Sequence, residues 1–304
     1  MKLRGLIAAT YTPLHEDGSL NLDLIPMLTE HLLHSGVAGL YVCGSTGEGV
    51  SLTSRERQQV AAAYVQAAGH RAPVIVQVGH NSLSESRELA DQAGGAGADA
   101  ISASPPSYFK FKDPSALIDS MAEIAAATPH LPFYYYHIPS MTGVAVDMPM
   151  FLEQAAQAIP NWAGAKYTDN RLDEYQFCLK MNHQRHDVLW GLDEMLLAAL
   201  AVGGQAAVGS TYNIAAPLYN RIIRHVRDGE LESARCCQLQ AVKMIRTIAK
   251  HPFHPAVKAI LSMQGLPCGP CRLPQTPIGP NQINHLRSEL EELGYFEWAR
   301  AGTD

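Results

Sequence analysis

Between residues 6 and 209 the chain alternates short apolar runs with amphipathic helical spacing, and it completes this alternation eight times. Strand-like runs occupy residues 6–10, 39–43, 74–78, 100–103, 133–136, 164–168, 188–190 and 206–209. Apolar residues recur at three- and four-residue intervals over 23–33, 54–68, 84–93, 116–126, 148–158, 172–181 and 194–202, the period of a helix with one buried face. Short turns and small residues before the strands, such as Gly97-Ala98-Asp99, favour parallel connections. Eight such units predict an α/β fold of the closed (β/α)8, or TIM-barrel, type. An open doubly wound sheet would want a glycine-rich phosphate turn after its first strand, and none follows Thr10. Beyond residue 209 the strand rhythm stops. Helical spacing continues over 215–225, 231–250, 255–263 and 281–293. The expected division is a barrel over 1–214 and a helical region over 215–304, packed on the barrel or on another subunit.

The 304 residues suffice for one large barrel with an appendage, and 47% hydrophobic with 17% charged residues describes a chain with ample core. A formal charge of −6 argues against nucleic acid or an anionic membrane as partner. An anionic small molecule would then need local donors. Met1-Lys2-Leu3-Arg4 leads straight into the first strand, with no leader pattern and no apolar stretch of ~18 to 20 residues, so a cytoplasmic enzyme is expected. Cys268-Gly269-Pro270-Cys271 has dithiol spacing, but prolines on both sides read as a loop instead of a redox helix start. His31/His34 and His251/His254 share i, i+3 spacing without a third ligand placed by any motif, so no metal and no cofactor are expected.

Chemistry concentrates at the carboxyl ends of the strand runs, where barrels of this kind carry their sites. Lys166 lies in Gly164-Ala165-Lys166-Tyr167-Thr168, and strand alternation sets it on one face with Gly164 and Thr168. One unit earlier, Tyr136 ends a strand with the same inward parity. A lysine in an apolar setting is either ion-paired or an amine able to attack a ketone, and a neighbouring phenol can move the protons of such a Schiff base. Tyr136 could equally fill core with its hydroxyl satisfied. Gly44-Ser45-Thr46-Gly47 exposes backbone N–H groups and two hydroxyls, a nest for a carboxylate or phosphate. Tyr108, Gly191, Asp193, Glu194 and Ser210 fall at the same end of the barrel, although Asp193-Glu194 would also suit a plain helix start.

Gly44-Ser45-Thr46-Gly47-Glu48, Tyr136-x-x-Pro139 and Gly164-x-Lys166 together resemble the class I, pyruvate-handling aldolases of the dihydrodipicolinate synthase and N-acetylneuraminate lyase superfamily. The likeness spans nearly the whole chain. Tyr136-His137-Ile138-Pro139-x-x-Thr142-Gly143-Val144, Gly191-Leu192-Asp193-Glu194 and Gly209-Ser210-Thr211-Tyr212-Asn213 are most similar to the lyase branch. The synthase branch carries an arginine two residues after the proline; here that residue is Met141.

The resemblance implies that Lys166 forms the Schiff base, Ser45 and Thr46 hold the pyruvyl carboxylate, and Tyr136 relays a proton, with Thr46 as its candidate link. It further implies that Thr168, Gly191, Asp193, Glu194, Gly209 and Ser210 line the polyol and N-acetyl end, with Phe253 near the tail of the sugar. Tyr108 resembles a tyrosine that reaches into a neighbouring subunit's site, which implies at least a dimer, and the family likeness implies a homotetramer. The implied reaction is reversible cleavage of N-acetylneuraminate to pyruvate and N-acetylmannosamine. The alternatives are a sister 2-keto-3-deoxy sugar acid aldolase, a dihydrodipicolinate synthase, or a sugar-acid-binding barrel without catalysis.

Overall fold

The computed structural model describes residues 2–111, 113–181 and 186–299. Residues 300–304 of the expected helical region lie outside them. The strands are β1 (Gly5–Ala9), β2 (Gly39–Val42), β3 (Val74–Gln77), β4 (Ala100–Ala103), β5 (Phe133–His137), β6 (Trp162–Tyr167), β7 (Asp187–Trp190) and β8 (Ala206–Gly209). They pair in parallel in sequence order, and β8 closes on β1, making the (β/α)8 barrel expected from the eight-fold alternation.

The helices are α1 (Ile25–His34), α2 (Ser54–Ala68), α3 (Leu83–Gly95), α4 (Pro114–Ala126), α5 (Pro139–Thr142), α6 (Met148–Ala158), α7 (Leu172–Lys180) and α8 (Leu196–Ala201). After β8 follow α9 (Tyr212–Arg227), α10 (Leu231–Ile248), α11 (Phe253–Met263), α12 (Pro280–Glu292) and α13 (Tyr295–Trp298). The two four-residue helices, α5 and α13, escaped the periodicity because one turn cannot display a 3.6-residue repeat. The pattern read over 194–202 splits into a 3-10 turn, Asp193–Met195, and the shorter α8. α2 starts where its sequence says it should, with Thr53 and Glu56 exchanging capping hydrogen bonds.

Two apolar layers result. One fills the space between barrel and helices; the other fills the barrel itself with Ile7, Tyr41, Ile75, Tyr134, Tyr136, Leu189 and Val208 among its members. A register shift between β5 and β6 sets the facing of Lys166. Phe133 pairs with Trp162 but Tyr134 pairs with Gly164, so one extra residue is accommodated in β6. From there Tyr136 lies opposite Lys166, and Lys166 opposite Leu189. A one-residue slip turns every later side chain to the other face of a strand. Gly164 permits the irregularity: its φ is +153°, and a Cβ there would stand 1.9 Å from the Asp187 carbonyl oxygen.

Candidate active site

A cavity of about 240 Å³ opens at the carboxyl ends of the strands. Its walls include Ser45, Thr46, Tyr136, Lys166, Thr168, Gly191, Asp193, Glu194, Gly209 and Ser210. Every site residue expected from the sequence is there except Tyr108. Five loops or strand ends, far apart in the chain, supply them.

Lys166 occupies the barrel centre, 4% exposed. Its Nζ lies 4.1 Å from the Tyr136 ring centroid and 4.2 Å from that of Tyr41. Those rings meet edge to face, with centroids 5.7 Å apart, and the Tyr41 hydroxyl donates to Ser102 Oγ at 3.0 Å. Among the described residues no carboxylate comes within ion-pairing distance of Lys166. The amine therefore sits on aromatic faces beside the cavity that it helps to line.

Hydroxyls surround it in two pairs. Tyr136 Oη and Ser45 Oγ are 3.4 Å apart, while Thr46 Oγ1 and Ser210 Oγ are 2.6 Å apart. The link expected between Tyr136 and Thr46 is thus made by Ser45 here, and Thr46 turns to the loop after β8. Thr168 Oγ1 is buried with no hydrogen-bond partner and stands where a Cβ on Gly191 would come within 2.0 Å. A side chain at 191 would displace the one unpaired hydroxyl of this wall.

Asp193 faces the cavity but is committed on one side: Oδ2 accepts from the Thr211 backbone N–H at 2.8 Å and from its hydroxyl at 2.6 Å. Burial pushes its carboxyl up to about 6 in spite of these bonds, which act in the opposite direction, and the neighbouring Glu194 adds to the rise. Glu194 is exposed at the rim. Gln238 of α10 holds this segment, donating to the carbonyls of Asp193 at 3.3 Å and Glu194 at 3.1 Å and accepting from the Leu197 N–H. No sequence signal singled out Gln238, since one amide on an amphipathic helix has no motif around it.

The helical region supplies the remaining wall through Ile245, Phe253 and His254. The Phe253 expectation rested on resemblance alone. His254, in sequence one half of a His-x-x-His pair, has its Nδ1 3.2 Å from the Tyr11 hydroxyl, and burial lowers its pKa. In the other pair, His31 Nε2 meets the Asn213 carbonyl. Met141, at the position of the synthase arginine, lines the mouth and is largely exposed. Cys268 and Cys271 are buried free thiols in an irregular segment, and burial pushes both up to about 12, away from thiolate chemistry.

Tyr108 is the exception. It is 79% exposed, beyond the cavity, packed edge to face on an equally exposed Phe109 with ring centroids 5.1 Å apart. The Asn81 side chain accepts from its backbone N–H, and Lys110 ties the same loop to the Thr142 carbonyl.

The model of the dihydrodipicolinate synthetase family matches residues 2–293. The N-acetylneuraminate lyase of Mus musculus is 41% identical over 300 residues, covering 97% of this chain and 94% of the relative. The structure of N-acetylneuraminate lyase (sialic acid aldolase) from Aliivibrio salmonicida superposes with a TM-score of 0.95 at 37% identity, over 99% of this chain and 100% of that one. That of Proteus mirabilis N-acetylneuraminate lyase gives 0.94 at 34% identity, over 97% and 100%.

Proposed function

Because the chain belongs to the dihydrodipicolinate synthetase family, we infer that it is a class I aldolase that reversibly cleaves N-acetylneuraminate to pyruvate and N-acetylmannosamine. The observation that carries this reading is a buried lysine without a carboxylate partner, held between two tyrosine rings at the floor of a hydroxyl-lined cavity. The full-length likeness to N-acetylneuraminate lyases supports the choice of sugar acid.

The chemistry follows from the residue types. The Lys166 amine adds to the C2 ketone of the open-chain sugar acid and water leaves, forming an iminium. Ser45 and Thr46 hold the adjacent carboxylate through hydroxyls and backbone N–H groups. Tyr136, in contact with Ser45, relays the C4 hydroxyl proton: it accepts that proton while its own phenolic proton passes to the substrate carboxylate, as the C3–C4 bond breaks. The bonding electrons pass to the iminium, leaving an enamine on Lys166 and the free aldehyde of N-acetylmannosamine. Protonation at C3 and addition of water then release pyruvate and regenerate the amine.

Thr168, Gly191, Asp193, Glu194, Gly209 and Ser210 receive the polyol and N-acetyl end. Leaving buried groups such as Thr168 Oγ1 and the Asp193 carboxylate without ligand partners would cost ~1 to 3 kcal/mol each, which favours a polyhydroxylated aldehyde. Met141 offers no cation for a second substrate carboxylate, which counts against a dihydrodipicolinate synthase activity. The exposed Tyr108-Phe109 pair supports a subunit contact that brings Tyr108 to a neighbouring site in a homotetramer. Six free cysteines suit the reducing cytoplasm.

Pyruvate release from N-acetylneuraminate, followed in a coupled assay, tests the substrate. Turnover of 2-keto-3-deoxygluconate with none of N-acetylneuraminate would replace it by the sister aldolase reading. Borohydride reduction with pyruvate is expected to add ~70 Da to the chain and nothing to Lys166→Ala.

A further inference from the structure

The loop that carries Ser45 and Thr46 is wound against its own preferences. Cys43 and Glu48, at its two ends, both take left-handed φ values, 60° and 55°, uncommon for residues with side chains. A Cβ on Gly49 would lie 2.0 Å from the Cys43 carbonyl oxygen. Something outside the loop has to hold this shape.

Glu48 is the residue through which that happens. Its carboxylate is buried, with Oε1 2.7 Å from Lys258 Nζ and Oε2 accepting from the Arg272 backbone N–H at 2.7 Å. Lys258 is 1% exposed and also donates to the Pro270 carbonyl at 2.8 Å. It belongs to α11, the helix whose first turn brings Phe253 and His254 into the cavity wall. One ion pair thus joins the loop after β2 to the helical region, and no atom of it lines the cavity.

We propose that Glu48 and Lys258 are a positioning pair for the aldolase reaction: they hold the Ser45-Thr46 loop against α11 and so set the enzyme's affinity for the carboxylate of its keto acid. The proposal rests on Ser45 and Thr46 receiving that carboxylate. The pair itself touches no substrate and moves no proton.

A purely structural ion pair and a positioning pair respond differently to neutralisation. Lys258→Met leaves the Glu48 carboxylate buried and uncompensated, whereas Glu48→Gln with Lys258→Met leaves no buried charge but also no tether. The measurement is the pyruvate concentration giving half-maximal borohydride trapping on Lys166, alongside the melting temperature, for wild type, Lys258→Met and the double variant. Half-saturation is expected to rise at least ~10-fold in both variants, while the melting temperature recovers in the double variant. Recovery of half-saturation together with melting temperature, or an unchanged half-saturation in either variant, overturns the proposal. Should Lys258→Met fail to fold, the double variant decides alone. Wild type that traps no pyruvate at any concentration would instead strike down the aldolase reading, and this proposal with it.

Discussion

Two lysines are buried among the described residues, and their surroundings differ in kind. Lys258 has a carboxylate 2.7 Å away and a carbonyl at 2.8 Å, and it does not line the cavity at the carboxyl ends of the strands. Lys166 has two aromatic rings, no carboxylate within ion-pairing distance among the described residues, and a cavity in front of it. The same side chain is ion-paired in one place and, in the proposed function, the nucleophile in the other. Partner and space make the difference, because an amine locked to a carboxylate can neither lose its proton cheaply nor reach an electrophile.

The contrast is broken most directly by treating both lysines alike. Lys166→Met is expected to lower turnover at least ~10⁴-fold, since no other amine can form the imine, with little change in melting temperature. Lys258→Met should do the reverse in kind, costing ~3 to 5 kcal/mol of stability by stranding Glu48. Equal losses of melting temperature in the two variants would show that Lys166 is also held by a charge.

Tyr136→Phe separates the relay from the nucleophile. Turnover should fall ~10²- to 10⁴-fold, while pyruvate trapping on Lys166 persists. Loss of trapping in that variant would mean that the phenol acts in forming the imine.

Titration sharpens the comparison on either side of the barrel wall. Burial pushes His137, packed behind the wall against Tyr135 and Tyr167, down to about 4, with Asp169 at 3.8 Å pulling the other way. A depressed folded pKa contributes stability that is present above the ordinary value of ~6.5 and is lost as pH falls through about 4. Asp193 has the opposite sign. Its raised pKa stabilises the fold below ~3.8, and that contribution disappears as pH rises through about 6. Melting curves of His137→Phe should therefore lack part of the wild-type decline between pH 6.5 and 4, on the order of 2 to 3 kcal/mol. Asp193→Asn should gain on wild type between pH 4 and 6. An unchanged pH profile in both variants would mean that these groups are hydrated in solution.

The smallest expected effect is at Tyr108. Tyr108→Ala should move stability by no more than ~0.5 kcal/mol, because the residue is largely exposed and its ring packs on the equally exposed Phe109. Turnover should nonetheless fall in the assembled protein, and an unaltered turnover would remove Tyr108 from the site.

Much of the site was readable before any coordinates. Lys166 and Tyr136 stand out because a polar residue on an inward strand position has few structural reasons to be there, and the Gly44–Gly47 hydroxyl loop because glycines announce an unusual backbone. What the pattern hid were contributions made from a distance. Gln238, His254 and Lys258 lie on helices whose spacing reports only an apolar face. Ser45, and not Thr46, meets the Tyr136 hydroxyl because loop winding, which no local rule specifies, turns one hydroxyl toward β5 and the other toward β8.

The amino-acid sequence alone determined the eight-fold strand and helix alternation, and with it the barrel and the end that carries the chemistry, since hydrophobic periodicity and turn residues act over a few positions. It did not determine which buried lysine is paired. That was decided when the barrel closed and α11 folded back on it, bringing Glu48 to Lys258 across a separation of 210 positions in the chain and leaving Lys166 with rings for neighbours. Ion pairing is a short-range contact between residues remote in sequence, and only tertiary packing brings such residues together.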